Sequence, residues 1–308
     1  ALAGEIARGG ARASGQAGAG FPRAADAFST VYFGGGSPAL CDLRPLFSAL
    51  QLQLRTSTEF TVELHPLDVT EELLATLKAG GVNRISMGVQ SFDDQTLAAM
   101  GRGYTIDGAL RAFETVKRSF DNAGIDLIVG FPGDPCRFEL KRFADLGLRH
   151  CSVYSLQNER GLSNVPDDNI VLDEIKRCAD ELAELGLERY EISNYAGTGY
   201  ECRHNLAVWR GEDYVGLGEG ACGRVGLART RGVRSGYETE TLSETEDLKE
   251  RTIFRLRTRE GLDATRFPEW RDTLDRFVAE GVLTKSSTVY FLAERGTEVC
   301  DAILAEIV

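Results

Sequence analysis

Polar side chains cluster directly after short apolar runs in this sequence, and their types suggest recognition of a charged, hydroxyl-rich ligand. "VYF" runs into Gly34, Gly35, Gly36 and Ser37; "FTVELHP" carries Glu63 and His65; "RISMGVQSF" ends on Gln90 and Ser91. "IDLIVGFPG" carries Asp126, and "CSVYSLQ" carries Tyr154, Ser155 and Gln157. Consecutive glycines let another group come to van der Waals distance of the backbone. Glu63 and Asp126 can accept hydrogen bonds from an ammonium or a ribose, and Arg102 in "MGRGYT" supplies a cation for a carboxylate. An amino-acid moiety joined to a nucleoside suits that set. Each residue also has a plain structural alternative. The glycines could form a tight turn without a ligand, Glu63 could pair with Arg84, Asp126 could cap a turn, Gln90 could satisfy loop backbone, and Arg102 could be an ordinary helix-end cation.

The elements that must position these groups alternate. "TVYF", "EFTVEL", "RISMGV", "IDLIVG", "CSVYSL" and "RYEISN" have strand length and, except for the last, are followed by helix-period stretches. That order implies parallel strands joined by helical crossovers, with the ligand site at the carboxyl ends of the strands. "DVTEELLATLKAGG" shows a complete helix signature, from Thr70 with Glu71 and Glu72 to the stop at Gly80 and Gly81. The segment from Ala1 to about Ala19 reads as a helix, "ALAGEIA", fraying into a glycine-rich loop. After residue 205 the rhythm changes. "DYVGLGEGACG" reads as loop or short strand, "SETEDLKERTIFRLRT" as a capped amphipathic helix, and helix, two short strands and a closing helix follow. The expected division is residues 1–235 as a partial (β/α) TIM-like barrel and 236–308 as a small α+β, winged-helix-like domain, with "SGYETETLSETED" as a hydrophilic linker.

The formal net charge of −12 over 308 residues disfavours nucleic acid and anionic membranes as partners. Apolar runs stay short of the roughly 20 residues of a membrane span, and the amino end lacks a secretory pattern, so the chain reads as cytoplasmic. Seven cysteines, at 41, 136, 151, 178, 202, 222 and 300, show no metal-ligand spacing and read as reduced, mostly structural thiols. Residue 1 is alanine and the first methionine is Met87, which leads to the expectation of a further segment upstream.

"VYFGGGSP", "VELHP", "RISMGVQSF", "MGRGYT", "IDLIVGFPG", "VYSLQNERG" and "YEISNYA", followed by "ECRHNLAVW" and "YVGLGEGA", resemble the HemN/HemW group of radical SAM proteins in order and spacing. The likeness covers the chain from end to end and is closer to the HemW branch, because "CRHNLAVW" is similar to its HNxxYW element, with Val208 in place of the tyrosine. The resemblance implies S-adenosylmethionine (SAM) beside a [4Fe-4S] cluster in a partial barrel of radical SAM type, and haem as a further ligand. Gly35, Gly36 and Ser37 would then hold the methionine end of SAM, with Glu63, Gln90, Arg102, Asp126 and Ser155 completing the pocket. His204 and Trp209 would lie near haem, although His204 has an equal claim as an ordinary core or surface histidine. The family's CxxxCxxC cluster loop does not occur, so no metal ligand is assigned, and the first strand with its cysteine loop is expected ahead of Ala1. Cys222 stands where the family has histidine, and Asp134 where it has glutamine. The implied function is a haem chaperone that delivers haem to apoproteins. An oxygen-independent coproporphyrinogen III oxidase, and a cluster-less protein that binds SAM or haem, are the alternatives.

Overall fold

The computed structural model describes residues 28–50, 54–158 and 161–307. The expected helix at "ALAGEIA", and any strand or cysteine loop ahead of it, lie outside the described residues. These divide into two compact units, Phe28–Glu201 and Cys202–Val308.

The first unit is built on a seven-stranded sheet. Strands β1 (Thr30–Phe33), β2 (Glu59–Leu64), β3 (Arg84–Gln90), β4 (Ala123–Val129) and β5 (His150–Ser155) run parallel in sequence order. A buried parallel sheet ordinarily reads as continuous apolar runs. This one alternates, and the register explains why. Val31, Phe60, Val62, Ile85, Met87, Ile125, Leu127, Cys151 and Val153 pair strand to strand along one face, and helices Ile106–Ser119 and Asp168–Glu184 pack on β3, β4 and β5. Tyr32, Thr61, Arg84, Asp126, Ser152 and Tyr154 share the other face. The apolar set supplies the core, with Phe60, Val62, Ile85, Met87 and Ile125 fully buried.

Helix starts follow the sequence signals. Thr70 Oγ1 accepts from the Leu73 amide at 3.1 Å, and Thr105 Oγ1 from the Gly108 amide at 3.2 Å. Gly81, at φ 90°, ends the first of these helices in the left-handed region.

The sixth expected strand departs from the parallel scheme. "RYEISNYA" folds into two strands, β6 (Glu188–Glu191) and β7 (Asn194–Ala196), and β7 inserts antiparallel between β5 and β6. The connection is the pair Ile192–Ser193, which lacks the glycine or asparagine that normally announces a hairpin.

In the second unit, helix Arg203–Trp209 is followed by the antiparallel sheet of β8 (Cys222–Val225), β9 (Ala228–Val233) and β10 (Gly236–Thr241). The segment read as a hydrophilic linker instead holds strand β10 and the start of helix Glu244–Ile253, and the 235/236 boundary falls within the β9–β10 hairpin, next to the Gly236–Val233 pair. Cross-strand charge pairing accounts for a strand of this composition: Glu240 meets Arg229 at 2.7 Å, and Glu238 stands opposite Arg231. Ser243 and Glu246 form the expected capping box of helix Glu244–Ile253. The remainder is a small α+β arrangement of the kind expected. It contains the sheet of β11 (Leu262–Asp263), β13 (Val289–Leu292) and β12 (Leu283–Ser286), with helices Arg271–Ala279 and Cys300–Ile307.

Arg224 on β8 is 4% exposed and binds Asp247 at 2.6 Å and Glu250 at 2.9 Å. Asp247 also accepts from Arg251 at 2.8 Å. Removing Asp247 leaves a buried guanidinium short of a partner. Asp247→Ala is expected to lower the unfolding free energy by about 3 kcal/mol in urea denaturation, and an unchanged midpoint would mean that this network contributes nothing net.

Candidate functional site

The polar face of the first unit opens into a cavity of about 540 Å³ at the carboxyl ends of the strands. Tyr32, Glu63, Gln90, Asp126, Tyr154 and Ser155 line it, joined by Ile128, Leu156, Gln157 and Ser193. Four of the residues singled out in the sequence, Glu63, Gln90, Asp126 and Ser155, therefore meet in one place.

Glu63 is set from two sides. The Tyr32 hydroxyl donates to its Oε1 at 2.8 Å, and the Gly35 amide donates to its Oε2 at 3.1 Å. The glycine run serves this carboxylate directly. A Cβ on Gly34 would come within 2.7 Å of Glu63 Oε1 and 2.8 Å of the Tyr32 ring, and Gly35 sits at φ 97°. Only glycine gives both the close approach and the left-handed backbone cheaply. Gly36 meets no atom that a Cβ would touch, and the Ser37 hydroxyl donates to Asp68. Gly35, Gly36 and Ser37 stand on the adjoining loop outside the cavity lining.

Gln90 reaches the cavity through backbone distortion. It has φ 73° although it is not glycine, and the β3–β4 register slips between Gly88 and Gln90. Such a bulge re-aims a side chain at the end of a strand. The Tyr104 hydroxyl holds the bulge by donating to the carbonyls of Gly88 and Val89, at 2.9 and 3.0 Å. Burial pushes that phenol up to about 12. Ser91 donates to Asp134 at 2.7 Å, and Asp134 accepts from the Cys136 amide at 2.8 Å, tying the "GFPGDP" loop to the same strand end.

Asp126 accepts from Ser86 Oγ at 3.0 Å and stands opposite Ser152 in the β4–β5 register. Burial raises its carboxyl above the ordinary range, and burial likewise raises Glu63, aided by the charge of Asp126. Arg84 lowers both, acting from the same face of the sheet as an electrostatic neighbour; the hydrogen bonds that hold Glu63 are those of Tyr32 and Gly35.

Arg102 lies elsewhere. It occupies the loop between helices Asp94–Ala99 and Ile106–Ser119, flanked by Gly101 and Gly103 at φ 73° and 68°, and is not among the lining residues. Those two glycines turn the loop so that Arg102 acts electrostatically on His65 and Tyr104, whose rings stack edge to face at 5.0 Å. His204 belongs to the second unit, half-buried on helix Arg203–Trp209.

Sequence reasoning did not select Tyr32, Ile128, Leu156 or Ser193, and it noted Tyr154 and Gln157 without assigning them a role. A strand-parity signal was available. Tyr32 and Glu63 fall on one face once β1 and β2 pair in register, as do Asp126 and Tyr154 across β4 and β5.

The donor set fits SAM. Half-buried carboxylates and a glutamine amide can take its ammonium and ribose hydroxyls, and Tyr154, Ile128 and Leu156 offer apolar surface for a planar ring. An iron–sulfur cluster finds no such fit. All seven cysteines lie among the described residues, five of them buried, and no three His, Cys, Asp or Glu side chains among the described residues could hold a metal ion.

A carboxyl whose pKa is raised on folding favours the folded state below its ordinary value, and this contribution is lost as pH rises through the folded value. Asp126→Asn, which keeps an acceptor for Ser86, is therefore expected to stabilise the chain at about pH 8, with the gain vanishing as pH falls toward the ordinary 3.8. Urea unfolding across that range checks it, and a gain independent of pH would contradict the assignment of the cost to the buried charge.

Comparison with known proteins agrees with this geometry. Residues 21–136 match the Radical SAM superfamily. The chain is 32% identical over 269 residues to "Heme chaperone HemW" of Lactococcus lactis, covering 77% of this chain and 71% of that protein. It is 30% identical over 315 residues to "Heme chaperone HemW" of Escherichia coli, covering 89% and 82%. The solved coproporphyrinogen III oxidase HemN of Escherichia coli, described as a radical SAM enzyme, superposes with a TM-score of 0.75 at 19% identity, over 91% of this chain and 77% of that one; this likeness concerns the fold. With its two-faced parallel half-barrel, its cavity at the strand ends and relatives of this extent, the chain belongs to the HemW family of radical SAM proteins.

Proposed function

We propose that this protein is a haem chaperone that binds SAM in the strand-end cavity and haem as its cargo, and passes haem to apoproteins in the cytoplasm. The observation that carries the reading is the extended identity to proteins named heme chaperones, which spans 89% of the chain for the Escherichia coli relative. The cavity supports the SAM part.

Glu63 and Asp126 accept hydrogen bonds from the ammonium and ribose hydroxyls of SAM, and the Gln90 amide adds a neutral partner between them. Tyr32 and the Gly35 amide hold Glu63 in place, so the glycine run acts on the methionine end through that carboxylate. Arg102 and Ser37 stand on adjoining loops outside the cavity lining and are given no contact with SAM. Bound SAM supplies a sulfonium-activated adenosyl group. No step is routed through a cluster, because the described residues do not provide its ligands. Haem recognition is assigned to the second unit, where His204 and Trp209 share helix Arg203–Trp209. Among the described residues no helix is long and apolar enough to cross a membrane, and the net charge of −12 speaks against nucleic acid as a partner.

Titration with haem, followed by Soret absorbance, and with SAM, followed calorimetrically, tests the reading. Saturable binding of both is expected. Saturable SAM binding with no retention of haem would overturn the chaperone reading. Glu63→Ala should weaken SAM binding by roughly 1–3 kcal/mol through loss of charge-assisted hydrogen bonds, and Cys178→Ala, buried in helix Asp168–Glu184, should leave it unchanged. Equal losses in both variants would place SAM outside the cavity.

A further inference from the structure

In "MGRGYT" the charge of Arg102 draws attention, yet the side chain that reaches the end of β3 is Tyr104. Tyr104 is 8% exposed and precedes Thr105, the cap of helix Ile106–Ser119, so the helix start fixes its backbone. Its ring packs edge to face on His65, with 5.0 Å between centroids. His65 is itself held at the end of β2, where its Nδ1 accepts from the Leu67 amide at 3.3 Å. Helix start and strand end together aim one hydroxyl at the backbone of β3.

That backbone is unusual at Gln90. The Ser91 amide donates to the Val89 carbonyl at 3.0 Å, and Gln90 between them has φ 73°. A bond from residue i+2 back to residue i around a positive φ makes a γ-turn, a rare and strained conformation that persists only where the surroundings over-determine it. Here both flanks are held. The Tyr104 hydroxyl donates to the same Val89 carbonyl at 3.0 Å and to that of Gly88 at 2.9 Å. On the other side Ser91 Oγ donates to Asp134 at 2.7 Å and accepts from the Asp93 amide at 3.0 Å. The Gln90 side chain then lies over Gly88, where a Cβ would stand 2.5 Å from its Nε2, and forms part of the cavity wall.

We propose that Tyr104 is a positioning residue for the cavity, with Ser91 as its counterpart across the turn: together they hold the γ-turn that aims the Gln90 amide at the ligand. This rests on the reading that the cavity takes SAM. It assigns Tyr104 and Ser91 an effect on affinity although neither lines the cavity. A glutamine amide carries both donors and an acceptor, so a fixed orientation suits a ligand group of both kinds, such as a ribose hydroxyl. A relaxed turn would free the side chain, and ordering it again on binding would cost affinity. A purely structural role would alter stability and leave the effect of Gln90 substitutions untouched.

A double-mutant cycle separates these roles. SAM affinity is measured calorimetrically for the wild-type chain, Tyr104→Phe, Gln90→Ala and the double variant, with thermal unfolding confirming that each is folded. Tyr104→Phe removes the hydroxyl and keeps the ring against His65. Each single substitution is expected to weaken SAM binding about fivefold, in line with the loss of one hydrogen bond, and the double variant should be no weaker than Gln90→Ala alone. Ser91→Ala combined with Gln90→Ala gives a second cycle with the same expectation, available if Tyr104→Phe fails to fold. Losses that multiply to about 25-fold in the double variant, or an unchanged affinity in either single variant, would overturn the positioning role while leaving SAM in the cavity. A wild-type chain that does not bind SAM would overturn the cavity reading and this inference with it.

Discussion

The site depends on carboxylates held inside a parallel sheet. Burying an ionised carboxyl is costly unless hydrogen bonds replace the lost water. Glu63 and Asp126 meet that requirement in part, with partners from neighbouring strands: Tyr32 and Gly35 for the one, Ser86 for the other. The remaining lone pairs face a cavity of about 540 Å³. The cost of burial is not fully offset, as the raised pKa of both groups shows. A site with that residual cost is well suited to a cationic ligand, because an ammonium or sulfonium favours the charged form of both acids.

Stability for this arrangement comes from the opposite face. Phe60, Val62, Ile85, Met87, Ile125 and Leu127 exclude water almost completely and fix the register. A slip of one residue would exchange the acids with the core, so the apolar pattern that folds the sheet also aims Glu63 and Asp126. Backbone exceptions then finish the site locally. Gly34 leaves room for Glu63, and the bulge at Gly88–Gln90, held by Tyr104, redirects Gln90.

Much of this was legible in the sequence. The five parallel strands, the capped helix after Thr70, the capping box at Ser243 and the meeting of Glu63, Gln90, Asp126 and Ser155 all follow from apolar periodicity and strand-end logic. The β6–β7 hairpin was hidden because a buried carboxylate, Glu191, does the work that a glycine usually signals. Strand β10 was hidden because its pairing relies on Glu–Arg partners on β9, which look like a solvated linker when read along the chain alone. Arg102 was drawn toward the ligand by its charge, whereas Gly101 and Gly103 direct its loop toward His65 and Tyr104. Composition reveals which groups are available; the turns decide where they point.

The most direct measurement of the central claim is a crystal structure of this chain soaked with SAM. The account predicts ligand density in the strand-end cavity, with polar atoms in hydrogen-bonding contact with both Glu63 and Asp126. Ordered SAM bound elsewhere on the chain, with the two carboxylates facing only solvent, would contradict it.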